Sequence, residues 1–233
     1  MPIQTSFNPN GRNELKHAVS VAEYQVLRSK LLHFMKRDPN AGSNGRYVIR
    51  STYFDNFDNR ILTEKKEGYL NRDKYRVRTY GNHDCIINLE RKSKRNNLTF
   101  KTKCHITHKE YEEMRVGNIL WMEEDERDLI RDLFSEMKYR QLKPITVVDY
   151  EREAFIYPFG NVRVTFDLKV KSSLQNTDMF HKHLPMVDVL ETNLVILEVK
   201  YDKYLPDVIT HLLQFSDTRQ EAYSKYQLSR MYG

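Results

Sequence analysis

The spacing of apolar residues changes period several times along the chain, and each change marks an element. Tyr24, Leu27, Leu31, Phe34 and Met35 recur at helical spacing. Ser20-Val-Ala-Glu23, just ahead of them, is a capping-box pattern, in which a hydroxyl and a carboxylate satisfy the first free amides. Asp38-Pro39-Asn40-Ala41-Gly42 ends this helix. A shorter helix is predicted from Thr107, with Glu110 three residues on, to near Gly117. A third is predicted from Glu123 to Tyr139, with Leu129, Ile130, Leu133, Phe134 and Met137 as its apolar stripe. Glu123-Glu-Asp-Glu126 reads as its solvated first turn, where acids suit the helix dipole. A last helix begins around Pro206, a favourable first position, and runs with a break near Ser216 to the C-terminus.

Between these segments the period is two. Arg46–Phe54, Lys74–Tyr80, Cys85–Lys92, Leu98–His105, Thr146–Phe155, Asn161–Val170 and Leu194–Tyr201 all read as strands, with a further short one at Val187–Leu190. Turn clusters such as Gly81-Asn82-His83-Asp84 and Lys94-Arg95-Asn96-Asn97 separate them, and consecutive hairpins imply antiparallel pairing. No repeat, low-complexity stretch or Pro/Gly/Ser-rich linker divides residues 1–233, so one α+β domain is expected.

Composition narrows the class. A 233-residue chain with 12% aromatic residues has enough material for a real core. No apolar run approaches the roughly 18–20 residues that cross a bilayer, and the opening stretch has no apolar segment of a secretory signal. Two cysteines, Cys85 and Cys104, make no disulfide framework. They fall on apolar strand faces and read as buried thiols. A soluble, cytoplasmic protein is expected. The charge of +6 favours anionic partners without saying which.

The faces of the strands say more. Lys74, Arg76 and Arg78 share one face of a strand. Asn88, Glu90 and Lys92 oppose Ile87 and Leu89, while Lys101 and Lys103 alternate with Phe100, Thr102 and Cys104. Arg163, Thr165 and Asp167 lie opposite the apolar Val162, Val164 and Phe166, and Glu198 and Lys200 lie opposite Val195, Leu197 and Val199. A solvated sheet face mixes Thr, Ser, Lys and Glu; these faces are dominated by cations. Like charges directly opposed on neighbouring strands cost about 0.2–1 kcal/mol per pair. An anion of high charge density, held inside a sheet closed into a barrel, would offset that cost.

The sequence at this point resembles the catalytic domain of the vacuolar transporter chaperone (VTC) polyphosphate polymerases, in the triphosphate tunnel metalloenzyme superfamily. The resembling stretches are Arg12-Asn-Glu14-Leu-Lys16, Ser51-Thr-Tyr53-Phe54-Asp55-Asn56, Tyr75–Gly81, Leu89-Glu90-Arg91-Lys92, Tyr150–Phe155, Val162–Asp167, Leu197-Glu198-Val199-Lys200, and Phe215-Ser216 followed by Ser224-Lys225-Tyr226. They occur in the family's order over nearly the whole chain. The resemblance implies a closed antiparallel eight-stranded β-barrel with flanking helices, binding a triphosphate and a divalent metal, Mn²⁺ or Mg²⁺. It implies phosphate binding by Lys16, Arg76, Arg78, Lys92, Lys103, Arg152, Arg163, Lys200, Ser224 and Lys225. Of these, Lys16, Arg76, Arg78, Lys92, Lys200 and Lys225 are the implied catalytic set, and Glu198 is the implied metal ligand. Lys16 and Lys225 rest on the resemblance alone, and Lys101 shares the face of Lys103.

Hydrolytic members of that superfamily open with an acidic-x-acidic-x-Lys pattern; here Arg12 stands for the first acid, which points toward the polymerase branch. The leading expectation is a polymerase acting on ATP and polyphosphate. A tripolyphosphatase or nucleoside triphosphatase, and a non-catalytic polyphosphate or nucleic-acid binder, stay open beside it. Nucleic acid is the less expected ligand, since many cations sit on strand interiors rather than beside exposed aromatics. No Ser/His/Asp signature or Walker loop is present, and the regulatory domain and membrane helices of the fungal complexes have no counterpart; a separate membrane partner stays open. His181-Lys-His183 reads as surface, and the tyrosines as strand and core residues rather than stacking platforms.

Overall fold

A computed structural model describes residues 6–7, 11–81, 83–213 and 224–231. In chain order the elements are β1 (Ser6–Phe7), β2 (Asn13–Ser20), α1 (Val21–Phe34), β3 (Lys36–Arg37), β4 (Arg46–Asp55), α2 (Arg60–Lys66), β5 (Asn71–Tyr80), β6 (His83–Arg95), β7 (Leu98–Ile106) and α3 (His108–Arg115). There follow α4 (Asp128–Arg140), β8 (Lys143–Tyr157), β9 (Val162–Ser172), β10 (Val187–Asp188), β11 (Leu194–Tyr201), α5 (Asp207–Leu212) and α6 (Lys225–Ser229).

The helix starts follow local chemistry. At α1, Glu23 N–H donates to Ser20 Oγ at 3.2 Å and Ser20 N–H donates to Glu23 Oε2 at 2.7 Å. At α3, Thr107 and Glu110 make the same reciprocal pair. The acidic run before α4 is a correction: residues 123–126 precede the helix, which starts at Asp128. Arg127 is held extended there by Asp125, by Glu110 and by the His105 carbonyl at 2.7 Å. Among the described residues the C-terminal region holds α5 and α6; the break expected near Ser216, and Phe215-Ser216 itself, lie outside the described residues.

All strands join one antiparallel sheet in the order β1-β7-β6-β5-β4-β8-β9-β11-β2, with β10 on β9 and β3 on β8. Among the described residues the sheet has eleven strands, eight of them long and three of only two residues. Its ladders among the described residues do not close into the expected eight-stranded barrel. One isolated bridge among the described residues links the β2 end of the path back to β7, from Arg12 just before β2 to Thr99, with backbone hydrogen bonds of 3.0 and 3.1 Å. β2 was not among the sequence-predicted strands; its register, Leu194 opposite Ser20 through Tyr201 opposite Asn13, comes from β11.

The apolar cores lie outside the curved sheet. Tyr24, Leu27 and Leu31 of α1 pack on Val164 and Phe166 of β9 and on Val195, Leu197 and Val199 of β11. The Tyr24 and Phe166 rings meet edge to face at 4.9 Å. On the other side, Leu129, Ile130, Leu133 and Phe134 of α4 cover Val77, Leu89 and Cys104. Cys104 is a buried free thiol, and burial pushes its pKa up to about 12; the Cys85 side chain lies outside the described residues. Among the described residues no helix is long and apolar enough to cross a membrane.

If α1 depends on this outer core, Phe166→Ala should lower unfolding stability by about 3–5 kcal/mol, the cost of emptying a packed aromatic site. Urea denaturation measures it. A loss below about 1 kcal/mol would mean that β9 presents another face to the helix.

Candidate functional site

With apolar side chains outward, the period of two turns the cations inward. They converge on a cavity of about 760 Å³, lined among the described residues by fifteen lysines and arginines and two carboxylates, Glu14 and Glu198. Every residue singled out in the sequence lines it: Lys16, Arg76, Arg78, Lys92, Lys103, Arg152, Arg163, Lys200, Ser224, Lys225 and Glu198. Arg91, one residue from Lys92, points the other way and donates to Asp132 of α4 at 2.6 Å. His181 and His183 are exposed and are not part of this lining.

Strand register sets the rows. Arg76 stands opposite Glu90, and Glu90 opposite Lys103. Glu198 lies between Lys16 and Thr165, and Lys200 between Glu14 and Arg163. Lys74, Lys92 and Lys101 form a row of three directly opposed lysines, which is electrostatically costly.

Acids relieve one part of the cavity. Glu90 is 2.7 Å from Arg76, 3.9 Å from Arg78, and paired with Lys101. Burial works to raise its pKa, but Arg76 and Arg78 outweigh that and hold it far below the usual range. Asp167 receives two hydrogen bonds from Arg152, at 2.6 and 2.8 Å, and pairs with Lys225. The Tyr150 ring lies beneath both cations, 4.6 Å from Lys225 Nζ and 5.4 Å from the Arg152 guanidinium. Arg163 pairs with buried Asp38 and donates to Tyr47 Oη at 2.8 Å. Glu14 sits 2.6 Å from Lys92 and 3.5 Å from Lys16.

Another part has no such relief. Among the described residues the Lys65, Lys74 and Lys94 ammonium groups make no ion pair or hydrogen bond with protein, and Arg72 reaches only the Tyr69 carbonyl. Burial, then Lys16 and Lys92, holds Lys74 well below its ordinary range. Burial brings Lys92 down to about 7, with Lys16 and Lys200 adding to it against Glu14. The sequence reading missed Lys65, Arg72 and Lys94. Lys65 sits on α2, too short to show periodicity, while Lys94 was read as turn. Glu14 could have been found, since it is two residues from Lys16 and so shares its face.

Glu198 is 3.1 Å from Lys200, 3.4 Å from Arg152 and 3.8 Å from Lys16. Burial tends to raise its pKa, yet Lys200 and Lys16 keep it well below the usual carboxylate value, so it is ionised. Glu14 is near enough for its charge to act on Glu198, and both share Lys16 and Lys200 as partners. Among the described residues no cluster of three or more His, Cys, Asp or Glu is arranged to hold a metal. Two adjoining carboxylates suit a hard divalent ion that takes its remaining ligands from phosphate and water; that is the fit these residues allow.

The VTC domain model matches residues 11–232. The chain belongs to the VTC domain family. As the sequence resemblance implied, this VTC domain has the fold of the triphosphate tunnel proteins. It is similar to a putative adenylate cyclase from Bacillus halodurans, at 15% identity over 88% of each chain and a TM-score of 0.51. It is similar also to the putative adenylyl cyclase HpAC1 from Hippeastrum, described as having a dominant triphosphatase activity, at 11% identity over 96% of each chain and a TM-score of 0.57. At these identities the likeness carries the fold alone. No curated protein sequence matched the chain.

Lys92 gives a pH signature. At pH 8 in the empty cavity it is mostly neutral, and a bound polyanion returns its pKa toward the ordinary lysine value. Tripolyphosphate binding should therefore take up on the order of one proton, and affinity should fall as pH rises above 7. Calorimetry in HEPES and in Tris, whose ionisation enthalpies differ, reads the uptake. Lys92→Met should remove most of it; the same uptake in both proteins would place the titrating group elsewhere.

Proposed function

We propose that this VTC domain is a metal-dependent phosphotransferase that moves the terminal phosphate of ATP onto a growing polyphosphate chain. The carrying observation is the division of the cavity into an acid-compensated cluster around Arg76, Arg78, Arg152 and Lys225 and an uncompensated one at Lys65, Arg72, Lys74 and Lys94. Hydrolysis of one triphosphate needs only the first. A polymerase must hold two polyanions end to end, and the second cluster offers the additional cations.

The chemistry suits the residues. Phosphoryl transfer has a loose transition state with charge on the equatorial oxygens, so positioning and electrostatic stabilisation dominate. Arg76, Arg78 and Arg152 are planar forks for bidentate phosphate contacts; Lys16, Lys200 and Lys225 act as point charges. Exchanging their carboxylate partners for phosphate oxygens keeps each cation paired. The attacking group is a chain-terminal phosphate oxygen, already anionic, so no protein nucleophile is required. Glu198, with Glu14 beside it, would hold Mn²⁺ or Mg²⁺, whose chemistry is to neutralise charge on bridging phosphate oxygens.

Charge placement speaks against a nucleic-acid surface. Fifteen cations line the cavity while the whole chain carries only +6. The remaining surface is thus close to neutral or acidic, even after the acids that pair inside the cavity are discounted. A cytoplasmic setting, where ATP and divalent ions are available, belongs to the same reading.

Purified protein incubated with ATP and Mn²⁺ should yield long phosphate chains on a gel. Lys65→Gln/Arg72→Gln/Lys94→Gln should shorten them more than it slows ATP consumption. Orthophosphate without chains would make the protein a triphosphatase, the activity named for HpAC1. Unchanged ATP would make it a binding module.

A further inference from the structure

Two of the resembling stretches, around Asp55 and around Tyr226, contain buried polar residues to which the chemistry above gives no part. The fold joins them. Asp55, at the end of β4, is fully buried. Its carboxylate accepts the backbone N–H groups of Asn56 and Ile61, both at 2.8 Å, and of Leu62 at 3.1 Å. Asn59, at the N-cap of α2, has left-handed backbone with φ 55° and makes no capping hydrogen bond. Asp55 therefore caps α2 from four residues upstream. With three backbone donors fixing its carboxylate, it is an immobile acceptor.

The fourth donor is the phenol of Tyr226 on α6. The Tyr226 ring is buried and stacks on Tyr53 at 5.5 Å and 28°. One residue back, Lys225 enters the cavity and pairs with Asp167. A five-residue helix cannot hold its own position, and α6 has no side-chain N-cap hydrogen bond. Its placement comes from what it docks on: Asp55 and Tyr53 through Tyr226, and Asn59, which accepts from Arg230 at 2.9 Å. Asp55 and Asn59 belong to the turn that Asp55 organises, and Tyr53 lies two residues before it on β4.

We propose that the Asp55–Tyr226 hydrogen bond is a latch that positions Lys225 in the cavity, making Tyr226 a positioning residue for anion binding. The proposal rests on the phosphate-binding reading of the cavity for its consequence, though not for its geometry. Without the latch, the Tyr226 ring still packs on Tyr53, but α6 can turn about that stack and withdraw the Lys225 ammonium. The latch joins two stretches whose bonded groups lie 171 residues apart in the chain.

Tyr226→Phe keeps the ring and removes the donor. Metal-free tripolyphosphate binding, measured by calorimetry, should weaken about 3- to 10-fold, a part of the roughly 10- to 100-fold expected for Lys225→Met from losing a charge-assisted contact. In the Lys225→Met background, Tyr226→Phe should cost less than about 2-fold, because there is no ammonium left to position. An equal loss in both backgrounds, or no loss in the parent, overturns the latch. A second readout needs no ligand. Acylation of Lys225 by N-hydroxysuccinimide acetate, followed by mass spectrometry of the full chain, should accelerate several-fold in Tyr226→Phe while Lys200 is unchanged. An unchanged Lys225 rate overturns the proposal. A parent protein that binds no tripolyphosphate would overturn the functional reading instead, and the acylation rates would still decide the latch.

Discussion

Mutual repulsion among cations on the inner face of one sheet is the constraint on which the rest of the structure depends. Lys74, Lys92 and Lys101 oppose one another directly across three strands, and a one-residue slip that separated them would turn the apolar face inward as well. The fold accommodates this by keeping its apolar cores outside. α1 on one side and α4 on the other clamp the sheet, so the curvature that gathers the charges is held by packing remote from them. Buried acids do the remainder: Glu90, Asp167 and Glu198 each serve more than one cation.

This arrangement makes the cavity responsive to its ligand. Where acids stand beside arginines, an incoming phosphate exchanges one anionic partner for another, and the guanidinium groups are already oriented. Where lysines have no carboxylate partner, a bound anion would supply the counter-charge, and Lys74, held well below the ordinary lysine range by burial and then by Lys16 and Lys92, is the mark of that deficit. One side of the cavity is thus organised for geometry and the other for charge, the division on which the proposed function rests.

How much of this was legible in the sequence depended on whether local pattern or long-range pairing set the element. β11 has the predicted limits, Leu194–Tyr201, because Val195, Leu197 and Val199 alternate cleanly with charge. The capping boxes at Ser20 and Thr107 were equally plain. β2 was hidden: Asn13–Ser20 has little alternation, and it is a strand because β11 pairs with it. α2 spans seven residues and takes its cap from Asp55 rather than from Asn59, so neither periodicity nor an N-cap signal announced it. The same limit hid Lys65. The face of Arg76 and Arg78 could be read, and Arg91 on α4's side follows from it. The ion pairs that split the cavity into two parts needed coordinates, since Glu14 and Lys92, or Asp167 and Lys225, are distant in sequence.

The central claim is that the cavity is a charge-strained receptor for a linear polyphosphate, and the most direct measurement is thermal unfolding with tripolyphosphate against orthophosphate at equal ionic strength. At about 100 times Kd, a ligand that binds only the folded state adds about 2.7 kcal/mol, which for a chain of this size is roughly 5–10 °C in Tm. The account predicts that shift for tripolyphosphate and a much smaller one for orthophosphate. Equal shifts with both anions would reduce the effect to general screening of positive charge and contradict it.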